Sequence, residues 1–279
     1  LIEGVLIRTP EGIGIANRLP DSSIKTLYVP YQSKTITSRY ARIPFVRGIV
    51  VFFETLYLGV KYLSYSSELQ EAEKEQKEIV TFGVILLTLL VSLLLALFLF
   101  KFVPLMLAKT LGKGLENTFL FNLLDGMLRL AIFLLYLGII AQSKEAKQLF
   151  SYHAAEHMTI HAYEQGTSLT VSAIKQQQKE HPRCGTAFVL YSFVMSIVLF
   201  SFIPPGLSVW ETFFLRLPLL FPIIAISYEL ILLAGKKKSK FLSLLLLPGI
   251  WLQHVTTRQP QDEHLEVAIA ALKTAISKK

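Results

Sequence analysis

Long stretches with few or no charged side chains constrain this chain more than any other feature of its sequence. Residues 79–100 contain no charge, and as a helix they would extend about 30 Å, enough to cross the hydrocarbon core of a bilayer. Similar stretches follow at 118–141, 186–207 and 212–234. A shorter one, 241–253, contains a Pro-Gly pair, which is typical of a re-entrant or interfacial segment. The sequence therefore predicts an all-α polytopic membrane protein with about four transmembrane helices.

The residues before the first apolar stretch have a different pattern, in which short runs are separated by turn residues. Three strands are predicted at residues 3–8, 13–19 and 24–31. They would form a small N-terminal β meander. Because a meander of this size is only marginally stable alone, we expect it to pack on another part of the protein.

Changes in composition divide the chain into six regions. In the second, Arg47, Glu54 and Lys61 recur every seven residues and share one face of a predicted helix. That helix is either interfacial, with charges reaching the headgroups, or enters the bundle with its charges paired. The regions are 1–42, a cytoplasmic β element; 43–78, an amphipathic or interfacial helix and a charged connector; 79–141, transmembrane helices 1 and 2; 142–185, a cytoplasmic histidine-rich helical loop; 186–235, transmembrane helices 3 and 4; and 236–279, the re-entrant or interfacial segment and an amphipathic C-terminal helix at 261–277.

We attribute the net charge of +8 to the orientation of the chain in the membrane. Lys236, Lys237 and Lys238 follow the fourth apolar stretch directly, and the 142–183 loop carries further basic residues. The positive-inside rule therefore places both termini and the histidine-rich loop in the cytoplasm. The basic residues would contact membrane lipid headgroups, and we expect no nucleic-acid partner. The single cysteine, Cys184, excludes an intramolecular disulfide.

A cluster of titratable residues occupies one face of a helix predicted from about residue 144 to 165, with Gly166 as its stop. His153 and His157 have the i, i+4 spacing with which two imidazoles bind one divalent metal ion. With Glu156 they form His-x-x-Glu-His, the inverted zinc-peptidase motif, in which the glutamate can act as general base. Zinc is the ion that this pattern favours. The alternative is a hydrogen-bonded cytoplasmic helix face without metal.

A catalytic metal site needs a third protein ligand. His161 lies on the same face but one turn further along, too far to join His153 and His157 on one ion without distortion. The remaining candidates are Glu164, His181, Cys184 and Glu229, and we expect Glu229 or His181 to complete the site. Arg183 and Arg258 could bind a carboxylate or phosphate, or could simply reach the headgroups.

Charged residues also occur inside predicted spans. A charge in the bilayer interior is unfavourable in free energy, so such residues usually face a partner or a water-filled cavity. Asp125 and Arg129 are four residues apart in the second span and form either a neutralised structural pair or part of a polar path. Glu229, in the fourth span, has no partner nearby in sequence, which makes it a candidate for the site.

Several short blocks identify a family resemblance along essentially the whole chain. The blocks are Glu3-Gly4-Val5, Pro44-Phe45-Val46-Arg47-Gly48, Tyr152-His153-Ala154-Ala155-Glu156-His157, His181-Pro182-Arg183-Cys184-Gly185-Thr186, Ser227-Tyr228-Glu229-Leu230, Pro248-Gly249-Ile250-Trp251-Leu252-Gln253 and Thr256-Thr257-Arg258. With them the sequence resembles the DUF1385 family, the YqhQ-like bacterial membrane proteins. The resemblance implies a protein of the bacterial cytoplasmic (inner) membrane, and the family is commonly labelled a predicted metal-dependent enzyme.

Together these features predict a metal-dependent hydrolase at the cytoplasmic membrane interface, with a lipid-linked or membrane-protein substrate. The alternative is a non-catalytic protein that binds other membrane proteins during insertion, assembly or quality control. A transporter would need a polar path, and the first and third spans offer no charged residue to line one. The sequence contains no Gly-rich phosphate loop, dinucleotide fingerprint or Gly-x-Ser-x-Gly elbow, which argues against the common nucleotide-dependent enzymes and serine hydrolases.

Overall fold

The computed structural model describes residues 1–10, 12–71, 82–182, 184–204, 206–236 and 240–277. Its N-terminal part is an antiparallel sheet with strand order β1-β2-β3, formed by β1 (Gly4–Arg8), β2 (Gly12–Arg18) and β3 (Ile24–Pro30). The predicted meander is therefore confirmed, with each strand within one residue of its expected bounds.

Helices make up most of the remaining described chain. They are α1 (Lys34–Thr37), α2 (Val46–Glu71), α3 (Phe82–Leu97), α4 (Val103–Leu111), α5 (Thr118–Ile140), α6 (Lys144–Glu164), α7 (Val171–Ile174), α8 (Gly185–Phe200), α9 (Val209–Arg216), α10 (Leu220–Lys236), α11 (Lys240–Thr256) and α12 (Asp262–Ile276). A 3-10 turn, Tyr40–Arg42, precedes α2, and a π-helical turn, Phe98–Phe102, joins α3 to α4.

The sheet is covered on both faces, which explains why β2 is buried along nearly its whole length. Side chains alternate between the two faces of a strand. Ile13 and Ile15 accordingly pack against Leu58 and Tyr62 of α2. On the opposite face, Gly14 and Ala16 contact the C-terminal helix α12. The expectation that the meander packs on another part of the protein is confirmed.

The histidine-rich helix α6 is fixed by the same C-terminal helix. Tyr152, Ala155 and Met158 of α6 join Leu265 and Leu272 of α12 in one buried apolar cluster. Local signals set the limits of α6, because the Ser143 side chain accepts a hydrogen bond from the Ala146 N–H at 3.1 Å and Gly166 has a positive φ of 68°. The predicted bounds of α6 and α12 are both confirmed.

The number of helices that could cross a membrane is lower than predicted. Leu90–Leu111 and Thr118–Ile140 are long and apolar enough, and α9 with α10 would be a third span if their 47° bend lies within it. The 16 residues of α8 extend only about 24 Å, less than the ~30 Å hydrocarbon core. The structure thus gives two or three candidate spans among the described residues, where about four were expected.

The predicted re-entrant segment lies in a helix, whereas the region around residues 72–81 cannot be compared with the prediction. The stretch expected to be re-entrant or interfacial lies within a helix, α11, and its Gly249 packs so closely on α8 that an added Cβ would lie 2.7 Å from the Ala187 Cβ. The charged connector and the start of the first predicted span fall in residues 72–81, outside the described residues. Lys237 and Lys238 also lie outside them.

Two of the three charges on one face of α2 pair with other elements, while Lys61 is exposed and lies over the rings of Tyr57 and Tyr62 of α2 itself. Arg47 donates to the Glu229 carboxylate of α10. Glu54 accepts from the Arg8 guanidinium of β1 at 2.9 Å and from the Ser33 hydroxyl at 2.7 Å. Of the two interpretations of this helix, these pairs favour the one in which its charges are matched by partners within the protein.

Candidate metal site

The structure brings together three residues that could hold a metal ion. One nitrogen of His153, one nitrogen of His157 and the Cys184 Sγ all lie within 4.8 Å of one another. The two histidines come from successive turns of α6, and the cysteine stands at the N-terminus of α8. His153 Nε2 lies 3.2 Å from Cys184 Sγ. Among the four candidates for a third ligand, Cys184 is therefore the one that the fold places beside both histidines.

Backbone carbonyls hold both imidazoles in the tautomer that a metal requires. His153 Nδ1 lies 2.8 Å from the Thr256 carbonyl oxygen, and His157 Nδ1 lies 2.7 Å from that of Lys179. A carbonyl can only accept a hydrogen bond, so each Nδ1 carries the proton and each Nε2 keeps a lone pair. Metal-binding histidines are usually oriented in this way by a partner on the other ring nitrogen.

The sulfur of Cys184 lies at the N-terminus of α8. The side chain is buried and caps α8, accepting hydrogen bonds from the Thr186 N–H at 3.5 Å and the Thr186 hydroxyl at 3.2 Å. Cysteine binds a metal ion as the thiolate. Two imidazole nitrogens with a thiolate fit zinc in donor chemistry.

Glu156 lies beside this cluster in a cleft of about 590 Å³ that His153, His157, His181 and Cys184 also line. Its side chain is partly buried and makes no hydrogen bond with any described residue. Burial raises the pKa of the Glu156 carboxyl above its usual range, because desolvation disfavours the charged form, and this outweighs the opposing effect that His153 would have when protonated. A carboxyl with a raised pKa is suited to taking up and releasing a proton.

His161, Glu164 and His181 form a second group next to the first. The ring of His181 lies 4.7 Å from that of His161 and 5.7 Å from that of His157, measured between centroids. His161 Nε2 is bound to the Glu180 carbonyl at 2.8 Å, and His181 Nε2 lies 3.7 Å from Glu164 Oε2. These residues border the candidate ligands without joining them.

A glutamine that the sequence analysis did not single out fixes His181. The fully buried Gln253 side chain accepts from the His181 N–H at 2.7 Å and donates to its carbonyl at 2.9 Å. An amide within an otherwise apolar stretch could have signalled this role, since buried amides need hydrogen-bond partners. The carbonyls of Thr256 and Lys179 carry no side-chain signal, so the sequence could not reveal them.

The other predicted site residues lie elsewhere. Both carboxylate oxygens of Glu229 accept from Arg47, which supplies the partner that the sequence did not show, and Glu229 is not part of the histidine–cysteine cluster. Arg258 is exposed and lines a different cleft of about 490 Å³, together with Lys144 and Lys147. Arg183 lies outside the described residues.

A large apolar cavity meets the polar cleft at the candidate site. It has a volume of about 920 Å³ and is bordered by β1, α2, α6 and the start of α8. Phe52, Leu56 and Leu63 of α2 contribute to its apolar wall, while His153 and Glu156 line both the cavity and the cleft. A ligand with a polar and an apolar part could therefore occupy both spaces at once.

The sheet, the apolar helices and the histidine–cysteine cluster together define the class as a helical, membrane-associated protein with a candidate metal site. The chain belongs to the DUF1385 family, whose model carries the description "Protein of unknown function (DUF1385)" and matches residues 43–278. It is 29% identical over 281 residues to "Uncharacterized protein YqhQ" of Bacillus subtilis (strain 168), a match that covers 96% of this chain and 88% of that protein. No solved structure matches the chain. The family resemblance noted in the sequence is thereby confirmed.

Proposed function

We propose that this protein is a metal-dependent hydrolase, with zinc as its most suitable ion. The observation that carries the proposal is the convergence of His153, His157 and Cys184 beside the carboxyl of Glu156. Three protein ligands with a remaining open position are typical of catalytic zinc sites. When bound there, the ion would supply a Lewis acid that activates water.

The protein's own residues would orient the ligands and move one proton. The Thr256 and Lys179 carbonyls hold the two imidazoles in place. Glu156 would accept a proton from the attacking water and then deliver it to the leaving group. Its position in the cleft beside His153, His157 and Cys184 supports this role, because a general base must lie within reach of the proton that it abstracts.

The apolar cavity supports a lipid-linked substrate. Its volume of about 920 Å³ lies in the range of ordinary ligand sites, and it ends at His153 and Glu156. A hydrocarbon chain in the cavity would place an attached polar group in the cleft beside the candidate ligands. Burial of apolar surface favours this arrangement by roughly 25 cal/mol per Å².

We further propose that the chain is a multi-pass protein of the bacterial cytoplasmic membrane, with about four crossings. On this view α8 and the bent pair of α9 and α10 cross in addition to the two longer helices. The basic residues Lys144, Lys147, Lys175 and Lys179 support a cytoplasmic position for α6 and for both termini. The candidate site would then lie at the inner membrane surface.

Metal analysis of the purified full chain in detergent tests the proposal. We expect near-stoichiometric metal in the wild type and little in His153→Ala/His157→Ala. His161→Ala is a matched control, because His161 lies on the same helix outside the cluster and should leave the metal content unchanged. Glu156→Gln should keep the metal and lose hydrolysis of lipid-linked substrates.

A wild-type protein that takes up no metal, even after incubation with zinc, would contradict the hydrolase. The better proposal would then be a non-catalytic protein that binds other membrane proteins during their insertion, assembly or quality control. In that case Glu156→Gln would be tolerated. Substitutions on the exposed surface of the cytoplasmic part would instead abolish co-purification of a partner.

A further inference from the structure

A second cluster of charges lies inside the apolar part of the protein and is distinct from the candidate metal site. Asp125 and Arg129 of α5 and Arg216 of α9 are each at most 4% exposed. Both guanidinium groups donate to the same oxygen, Asp125 Oδ2. Arg129 also donates to the Ser196 hydroxyl at 2.7 Å, and Arg216 to the Asn122 amide oxygen at 2.7 Å. The predicted Asp125–Arg129 pair is thus present but belongs to a larger group, the arginine cluster.

Cations outnumber carboxylates in and around the arginine cluster. The guanidinium carbons of Arg129 and Arg216 lie 5.1 Å and 4.5 Å from the centroid of the Phe200 ring, and Lys101 Nζ lies 5.6 Å from the same centroid. Within the part of the chain that the structure describes, Asp125 is the carboxylate that pairs with these arginines. A buried cation without a matched anion is unfavourable by several kcal/mol. The cluster therefore attracts a further negative group.

A small polar pocket lies directly beside the arginine cluster. It has a volume of about 240 Å³, and its wall includes Arg216, Asn122, Lys109, Thr118 and Thr212. Arg216 is almost fully buried, and its Nε makes no hydrogen bond to a described residue. Thr118 is the first residue of α5, and the positive end of that 23-residue helix also favours an anion.

The size and chemistry of the pocket indicate which kind of anion it would bind. A guanidinium, an ammonium and hydroxyl groups are the partners that tetrahedral oxyanions prefer. The volume of about 240 Å³ is smaller than that of ordinary drug-sized sites, so it suits a single phosphate group better than a nucleotide or a sugar. We propose that this pocket binds a phosphate group, supplied either by free phosphate or by the headgroup of a phospholipid.

This site is independent of the proposed hydrolase because it lies at the other end of α5. The helix runs from Thr118, in the wall of the pocket, to Ile140, which is followed within a few residues by α6. Its 23 residues extend about 35 Å. Loss of the metal ligands should therefore leave phosphate binding unchanged, and loss of the pocket should leave metal content unchanged.

Thermal unfolding of the full chain in detergent tests the proposal and separates the two sources. Inorganic phosphate is titrated in one series and short-chain phosphatidylglycerol in a second, each against chloride at the same ionic strength. We expect a saturable rise in the unfolding temperature in at least one series. Lys109→Gln should weaken the apparent affinity about tenfold, because it removes one charge-assisted contact.

Lys113→Gln is the matched control, since Lys113 is an exposed lysine close in sequence that does not line the pocket. Its titration should match that of the wild type. A response to phosphate identifies free phosphate as the source, and a response to the lipid alone identifies the headgroup. No saturable response in either series, or equal weakening by Lys109→Gln and Lys113→Gln, would overturn the proposal. Lys109 is only partly buried, so Lys109→Gln is expected to fold even if a change of Arg216 does not.

Discussion

The contact between β2 and α12 gives the most direct test of how the candidate site is held in place. At Gly14 an added Cβ would lie 2.2 Å from the Ala271 carbonyl oxygen and 2.4 Å from the Ala275 nitrogen. Both neighbours are backbone atoms, so no side-chain rotation can relieve the overlap. The substitution Gly14→Ala therefore requires α12 to move away from the sheet.

The expected magnitude follows from the size of this overlap. Overpacking of a core typically destabilises a protein by about 1–3 kcal/mol, and an obstacle made of backbone places Gly14→Ala at the upper end, about 3 kcal/mol. A free-energy change of that size alters an equilibrium by about 100-fold. Because α6 packs on α12, the loss should also loosen the helix that carries His153 and His157.

Amide hydrogen exchange followed by mass spectrometry is the appropriate assay. We expect protection in Asp262–Ile276 to fall by about 100-fold in Gly14→Ala, with a smaller loss in α6. Gly59→Ala is the control, because nothing lies within 4 Å of the added Cβ and a helical Gly→Ala change should stabilise by about 1 kcal/mol. Wild-type protection of α12 in Gly14→Ala would refute the reasoning.

Three further predictions concern the clusters and the pH dependence of stability. Asp125→Asn should destabilise the protein by about 3–5 kcal/mol, measured by thermal or denaturant unfolding, because it leaves two buried guanidinium groups without their carboxylate. Cys184→Ser should weaken zinc binding by more than about 100-fold in competition with a chelator, because a hydroxyl replaces a direct thiolate ligand. Burial lowers the pKa of His264 below its ordinary value, so the unfolded chain binds the proton more readily than the folded one. The stability that neutral His264 contributes should thus be complete above about pH 6.5 and fall as the pH drops through that value, and His264→Gln should flatten this dependence.

Each of these predictions has a clear contrary result. Unchanged stability in Asp125→Asn would mean that the arginine cluster is solvated in the folded protein. Unchanged zinc affinity in Cys184→Ser would remove the thiol from the ligand set. A wild-type stability that is flat between pH 5 and 7, equal to that of His264→Gln, would contradict the account of His264.

The parts of this protein that the sequence predicts well are those determined by local interactions. The strands follow from alternation and turn residues, and the ends of α6 follow from Ser143 and Gly166. The pairing of His153 with His157 is equally local, because two residues four apart in a helix must share a face. These features required no knowledge of the rest of the fold.

The features that were missed depend on where separate elements meet. The sequence analysis expected Glu229 or His181 as the third ligand, whereas Cys184 is the candidate that lies beside His153 and His157, because α8 starts beside α6. Among the described residues the structure gives two or three candidate spans where the sequence predicted about four, because an apolar run does not reveal that α8 ends at Phe200 or that the helix breaks around Pro218. The pairing of Arg47 with Glu229 spans 182 residues and leaves no local pattern.

The packing of α12 on β2 also determines when the candidate site can form during synthesis. The first strands leave the ribosome long before residue 271, the partner of Gly14, has been added. Until then one face of the sheet has no cover, and α6 lacks the helix that it packs against. The packing around the histidine cluster is therefore complete only after α12, the last of the described helices, has been translated.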